Sequence, residues 1–65
     1  MKISKIAEMR KKRGLSQERL AELSGVHRVS IARYETGKAS PNVRTLRRLA
    51  DALKVSPEKL IEKAG

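Results

Sequence analysis

The sequence predicts an all-α domain, and three observations point to it. Apolar residues recur three and four positions apart, the spacing of one helical face. Ser, Asn, Gly and Pro fall between those runs, where helices start and stop. No stretch alternates apolar and polar residues for long enough to form a strand. Residues 1–65 read as one unit, without internal repeat, low-complexity segment or linker.

Five helical stretches account for that unit. Ser4 is placed to cap the first, whose apolar positions are Ile6 and Met9 with Ile3 before them, and Gly14 is a left-handed stop after Arg13. Ser16 is the N-cap of the second, with Leu20, Ala21 and Leu23 expected to face inward. Ser24, Gly25 and Val26 break it. The third runs from about His27 to Thr36, ends at Gly37, and turns Ile31 and Tyr34 inward. After a loop over residues 38–41, Asn42 caps the fourth, where Val43, Leu46, Leu49, Ala50 and Leu53 form one stripe. Ser56, Pro57 and Glu58 supply a cap, a first-turn proline and an acid for a short fifth helix holding Leu60.

Charge narrows the function. Sixteen Lys and Arg against seven Asp and Glu leave +9, distributed as +5 over residues 1–16, −1 over 17–26, +5 over 27–48 and zero over 49–65. Such an excess suits a polyanion, nucleic acid before an anionic membrane. A membrane-surface peptide would show one broad apolar face, whereas these apolar residues are divided among separately capped helices. No apolar run approaches the roughly 20 residues of a membrane span, and the basic start lacks the apolar core of a secretory leader. The absence of Cys excludes a disulfide framework and suits a reducing compartment. One histidine without Cys or nearby carboxylates is no metal site. No phosphate-cradling glycine loop or paired acids support catalysis, so an enzyme is not expected and no cofactor is implied.

The informative stretch is Gln17 to Tyr34. A tight helix-turn-helix needs a small residue where the two axes approach, supplied by Ala21. It needs a residue tolerant of positive φ in the turn, supplied by Gly25. It needs an aliphatic residue locking the second helix onto the first, supplied by Ile31 and opposed by Leu20. Taking about 100° per residue from Ile31, Val29, Arg33 and Thr36 fall within about 40° of the outward direction. Ala32 lies to one side, and Arg28 stands at the helix start, within reach of a groove.

Residues 15–35, from Leu15-Ser16-Gln17-Glu18 to Ile31-Ala32-Arg33-Tyr34-Glu35, resemble the helix-turn-helix of the Cro/phage-repressor family, the lambda-repressor-like type. Residues 36–42, Thr36-Gly37-Lys38-Ala39-Ser40-Pro41-Asn42, are similar to that family's loop into its fourth helix. The resemblance spans about residues 3–62. It implies a five-helix domain that binds duplex DNA in the major groove as a transcriptional regulator, most often a repressor. It further implies a homodimer, formed in solution or only on DNA, at a palindromic operator in the cytoplasm and nucleoid. No small-molecule effector is expected.

The resemblance makes Arg28, Val29, Ala32 and Arg33 the base readers. Arginine forks suit guanine, Val29 suits a thymine methyl, and Ala32 permits close approach. The competing reading is a solvated basic helix whose arginines touch only phosphates. Gln17, His27, Lys38, Ser40, Asn42 and Arg44 would hold phosphates, Asn42 while also capping; Arg47 and Arg48 are assigned to a solvated face. Arg10 and Glu35, which could be taken for an acid/base pair, match positions that form a structural salt bridge in the family. His27 replaces the usual Ser or Thr cap. Imidazole caps less well, so a backbone group or a phosphate is expected to compensate there. Lys54 stands where the family often has Gly, and a left-handed residue there would carry roughly 1 kcal/mol of strain. The alternative function is a protein-interaction module of the antitoxin-adaptor kind, with Ile61 exposed on the fifth helix as the dimer or partner contact.

Overall fold

The computed structural model describes residues 5–61. Helix α1 spans Lys5–Lys12, α2 Gln17–Ser24, α3 Arg28–Glu35 and α4 Val43–Leu53, and a 3₁₀ turn covers Pro57–Leu60. There is no strand among the described residues. Ser4 and Ile3, expected at the first helix start, lie outside them.

Local chemistry sets the ends of these helices. Ser16 accepts from the Arg19 N–H at 3.0 Å and Asn42 Oδ1 from the Thr45 N–H at 2.8 Å, satisfying donors that the first turn leaves free. Gly14 (φ 67°) and Gly25 (φ 72°) adopt left-handed backbone, and the Gly25 N–H closes α2 on the Ala21 carbonyl at 2.9 Å.

Ile6, Leu20, Val26, Ile31, Leu46, Leu49, Ala50, Leu53 and Leu60 form one core, with Met9, Tyr34 and Ile61 packed partly against it. Helix α2 packs on α3 and α4, and α4 carries the 3₁₀ turn against α1.

Five expectations need correction. The fifth element is not an α-helix, so four α-helices stand among the described residues. Ser56 and Ile61 are both extended, leaving four residues between them, and the Lys59 N–H to Ser56 carbonyl (3.0 Å) and Ile61 N–H to Glu58 carbonyl (3.2 Å) bonds are of the tighter i to i+3 kind. Ser56 makes no side-chain cap. Ile61 therefore sits beyond the turn, half-buried against the core, and is not an exposed residue of a fifth helix.

Leu23 does not face inward: it is 47% exposed, and Ser24 is buried in its place. At about 100° per residue, the inward direction between Leu20 and Ala21 passes near Ser24 and leaves Leu23 about 110° away. The buried hydroxyl is satisfied, donating to the Leu20 carbonyl at 2.7 Å and accepting from the Val26 N–H at 3.2 Å. Val43 likewise leaves the α4 stripe, 67% exposed at the first position of the helix before it reaches the core.

Lys54 ends α4 in left-handed backbone (φ 57°, ψ 42°), the sole non-glycine with positive φ among the described residues. Its N–H bonds the Asp51 carbonyl, the next N–H bonds Ala50, and its own carbonyl accepts from Arg13 at 3.4 Å. A Cβ in this conformation costs about 1 kcal/mol, partly offset in glycine by a freer unfolded chain. Lys54→Gly, which keeps every one of these backbone bonds, should gain about 0.5–1 kcal/mol and melt about 4 °C higher. A lower melting temperature in calorimetry would refute that strain.

Candidate nucleic-acid interface

Helix α3 is held at its middle by Ile31, which is fully buried, and at its far end by a network spanning three elements. Arg10 Nε donates to Glu35 Oε2 at 2.8 Å and Nη2 to Oε1 at 3.2 Å, a bidentate pair with side chains only 13% and 8% exposed. Arg10 Nη1 also donates to the Leu15 carbonyl at 2.8 Å, and Gln17 Nε2 donates to Glu35 Oε1 at 2.9 Å. The end of α1, the start of α2 and the last residue of α3 are thus tied through one carboxylate. The ion pair joins α1 to α3 and is largely withdrawn from solvent. Gln17 gains a structural role from it, because its side-chain amide braces α3. Sequence reasoning missed the direct Gln17–Glu35 and Arg10–Leu15 bonds.

With Ile31 turned inward, Arg28, Val29 and Arg33 are exposed on α3, Val29 at 52%, and Ala32 is half-buried beside them. Tyr34 is half-buried against the core, as expected. Thr36, on the same outer side by angle, folds its hydroxyl back onto the Ala32 carbonyl at 3.0 Å. The outward face is therefore two arginines flanking an aliphatic side chain.

The start of α3 departs from expectation. His27 (φ −61°, ψ 140°) is itself the N-cap, its Nδ1 accepting from the Val29 N–H at 3.1 Å. The ring replaces the usual hydroxyl and needs no substitute group to close the helix. It borders an open groove between α2 and α3, flanked by Glu18 and Glu22 on one side and Arg28 on the other.

At the opposite end, the loop is bonded to the helix it follows. The Gly37 N–H reaches Tyr34, and the Lys38 and Ala39 N–H groups both reach the Arg33 carbonyl, at 2.9 and 3.3 Å. Gly37 permits this reversal with φ 77°. Lys38, Ser40, Asn42 and Arg44 are all exposed along the loop and the first turn of α4. The bonds from Gly37, Lys38 and Ala39 tie the start of the loop back onto the end of α3. The Asn42 side chain is occupied as a cap. Arg47 and Arg48 are exposed as expected, yet Arg48 is not remote: a Cβ built on Gly25 would lie 3.9 Å from its Nη1, which places the guanidinium beside the helix-turn-helix turn.

These residues together form a cation-rich surface over the exposed side of α3, the loop after it and the first turn of α4. A helix-turn-helix family model matches residues 6–60. The chain is 36% identical over 58 residues to the SPbeta prophage-derived uncharacterized HTH-type transcriptional regulator YonR of Bacillus subtilis, covering 89% of this chain and 54% of that protein. It is 43% identical over 58 residues to the HTH-type transcriptional repressor RghR of the same organism, covering 88% and 43%. The chain thus spans about half the length of these curated relatives. The crystal structure of the restriction-modification controller protein C.AhdI from Aeromonas hydrophila superposes with a TM-score of 0.86 at 36% identity, covering 92% of both chains.

Proposed function

The chain belongs to the Cro/C1-type helix-turn-helix family, and on that premise we propose that it binds duplex DNA through α3 in the major groove and regulates transcription. One observation carries the reading: Arg28, Val29 and Arg33 project together from a helix that Ile31 and the Glu35 network hold rigidly. In this reading Arg28 and Arg33 fork onto guanine acceptors, Val29 meets a thymine methyl, and half-buried Ala32 lets the backbone approach. Lys38, Ser40 and Arg44 hold the phosphates on one flank, and Asn42 adds the free N–H groups of the α4 start while its side chain stays a cap. Gln17 offers a phosphate its main-chain N–H and its second amide hydrogen, the first being held by Glu35.

The proposal extends to a homodimer acting as a repressor on a palindromic operator, in the cytoplasm and without catalysis or an effector ligand. No described helix is long and apolar enough to cross a membrane. Selection of bound duplexes from a random pool tests all of this together, with two half-sites about 34 Å apart expected for a dimer.

Two substitutions separate the roles. Arg33→Ala should lower the ratio of specific to nonspecific affinity by roughly 5- to 150-fold, the loss of one bidentate base contact. Arg44→Ala should instead weaken operator and scrambled DNA alike and flatten the salt dependence by about 0.9 in log–log slope. An unchanged ratio in Arg33→Ala, measured by titration across salt, removes Arg33 from base readout.

A further inference from the structure

The geometry points to His27 as a positioning residue that works as a neutral ring: its Nδ1 caps the recognition helix and so sets Arg28 and Val29, and it is not a cationic phosphate contact. The inference rests on the DNA-binding reading and sharpens it by assigning His27 a tautomer and a role.

Nδ1 accepts the Val29 N–H at 3.1 Å. A ring nitrogen that accepts carries no proton, so the neutral imidazole must hold its proton on Nε2. Adding a second proton would place an N–H against an N–H and remove the cap. It would also bring positive charge to the positive end of α3. The charged form is therefore incompatible with the bond that closes the helix. The charged groups bordering the same groove are Glu18 and Glu22 of α2 and Arg28 of α3. Arg28 follows the ring directly and Val29 donates the capped N–H, so the bond lies in the turn from which both side chains project.

A neutral ring neutralises no phosphate and releases no counterion. Its removal should then change discrimination without changing salt dependence, whereas a cationic contact does the reverse. Three proteins decide between them at pH 6 and pH 8, the lower value being where a free imidazole is mostly cationic: the unaltered chain, His27→Ser, which keeps a capping oxygen, and His27→Ala, which keeps none. Nitrogen-15 spectra of the unaltered chain should show the Nε2–H tautomer. The Val29 amide should exchange slowly in the unaltered chain and in His27→Ser, and several-fold faster in His27→Ala. On a selected operator and a scrambled duplex, His27→Ser should keep the specificity ratio, while His27→Ala lowers it about three- to tenfold, all three with the same salt slope.

A slope reduced by about 0.9 in His27→Ser, an Nδ1–H tautomer, or equal ratios in the two variants would each overturn the assignment. If no duplex is selected at all, the DNA reading falls. The tautomer and exchange measurements, which need no DNA, still decide whether the ring is the cap.

Discussion

Glu35→Ala is expected to cost about 3 kcal/mol of folding stability, measured by urea denaturation. The carboxylate takes two bonds from Arg10 and one from Gln17, with the Arg10 and Glu35 side chains 13% and 8% exposed. Deleting it strands a guanidinium with only the Leu15 carbonyl left as partner, and an unpaired buried charge is far more costly than an intact buried pair is stabilising. A domain of this size holds on the order of 3–10 kcal/mol in total, so a loss of about 3 kcal/mol removes roughly a third or more of it and should lower the urea midpoint in proportion. Glu35→Gln, which keeps an acceptor for Gln17 but loses the charge, should fall between the two. A cost below about 1 kcal/mol would mean that the pair behaves as a surface salt bridge, and the account of how α3 is held would be wrong.

Ile31→Ala should destabilise by about 3–4 kcal/mol, since it combines lost transfer energy with a cavity that backbone relaxation fills only in part. Ile31 is fully buried and shares its core with Ile6, Leu20 and Val26, side chains from α1, α2 and the turn. Ile31→Val should cost only about 0.5–1.5 kcal/mol. In calorimetry, a graded Val-to-Ala series would identify packing as the cause, whereas equal losses would point to a backbone change. Neither substitution touches the outward face, so DNA affinity corrected for the folded fraction should stay near that of the unaltered chain in Ile31→Val.

Most of the helix ends were legible in the sequence. The caps at Ser16 and Asn42 and the left-handed residues Gly14 and Gly25 each depend on bonds spanning two to five residues, and that range is what residue spacing encodes. The outward set on α3 was legible for a related reason: once Ile31 is taken as inward, helical geometry alone turns Arg33 and Val29 the other way. The link between Arg10 and Glu35, 25 residues apart, came instead from the resemblance to a known family.

The misreadings were of another kind. Leu23 and Ser24 are adjacent, and hydrophobicity alone favours Leu23 for the core. The position of α3 and α4 around α2 decided otherwise, because Ser24 lies closer to the inward direction and its hydroxyl can bond the helix's own backbone. The last element carries a helix-start signature, yet its N–H groups bond carbonyls three residues back and the chain is extended again at Ile61, so it forms a 3₁₀ turn. Gln17, 18 residues from Glu35, looked free at a helix start until the packing of α2 against α3 brought the two together.

By itself, then, the sequence determined which segments are helical, where most of them stop, and that a basic face would stand opposite Ile31. These outcomes follow from local bonds and helical periodicity. Only the tertiary structure decided which of two neighbouring side chains is buried, how short the last turn is, and that Gln17, Arg10 and Leu15 converge on the end of the recognition helix. Those outcomes depend on where other helices come to rest, and no spacing along the chain records that.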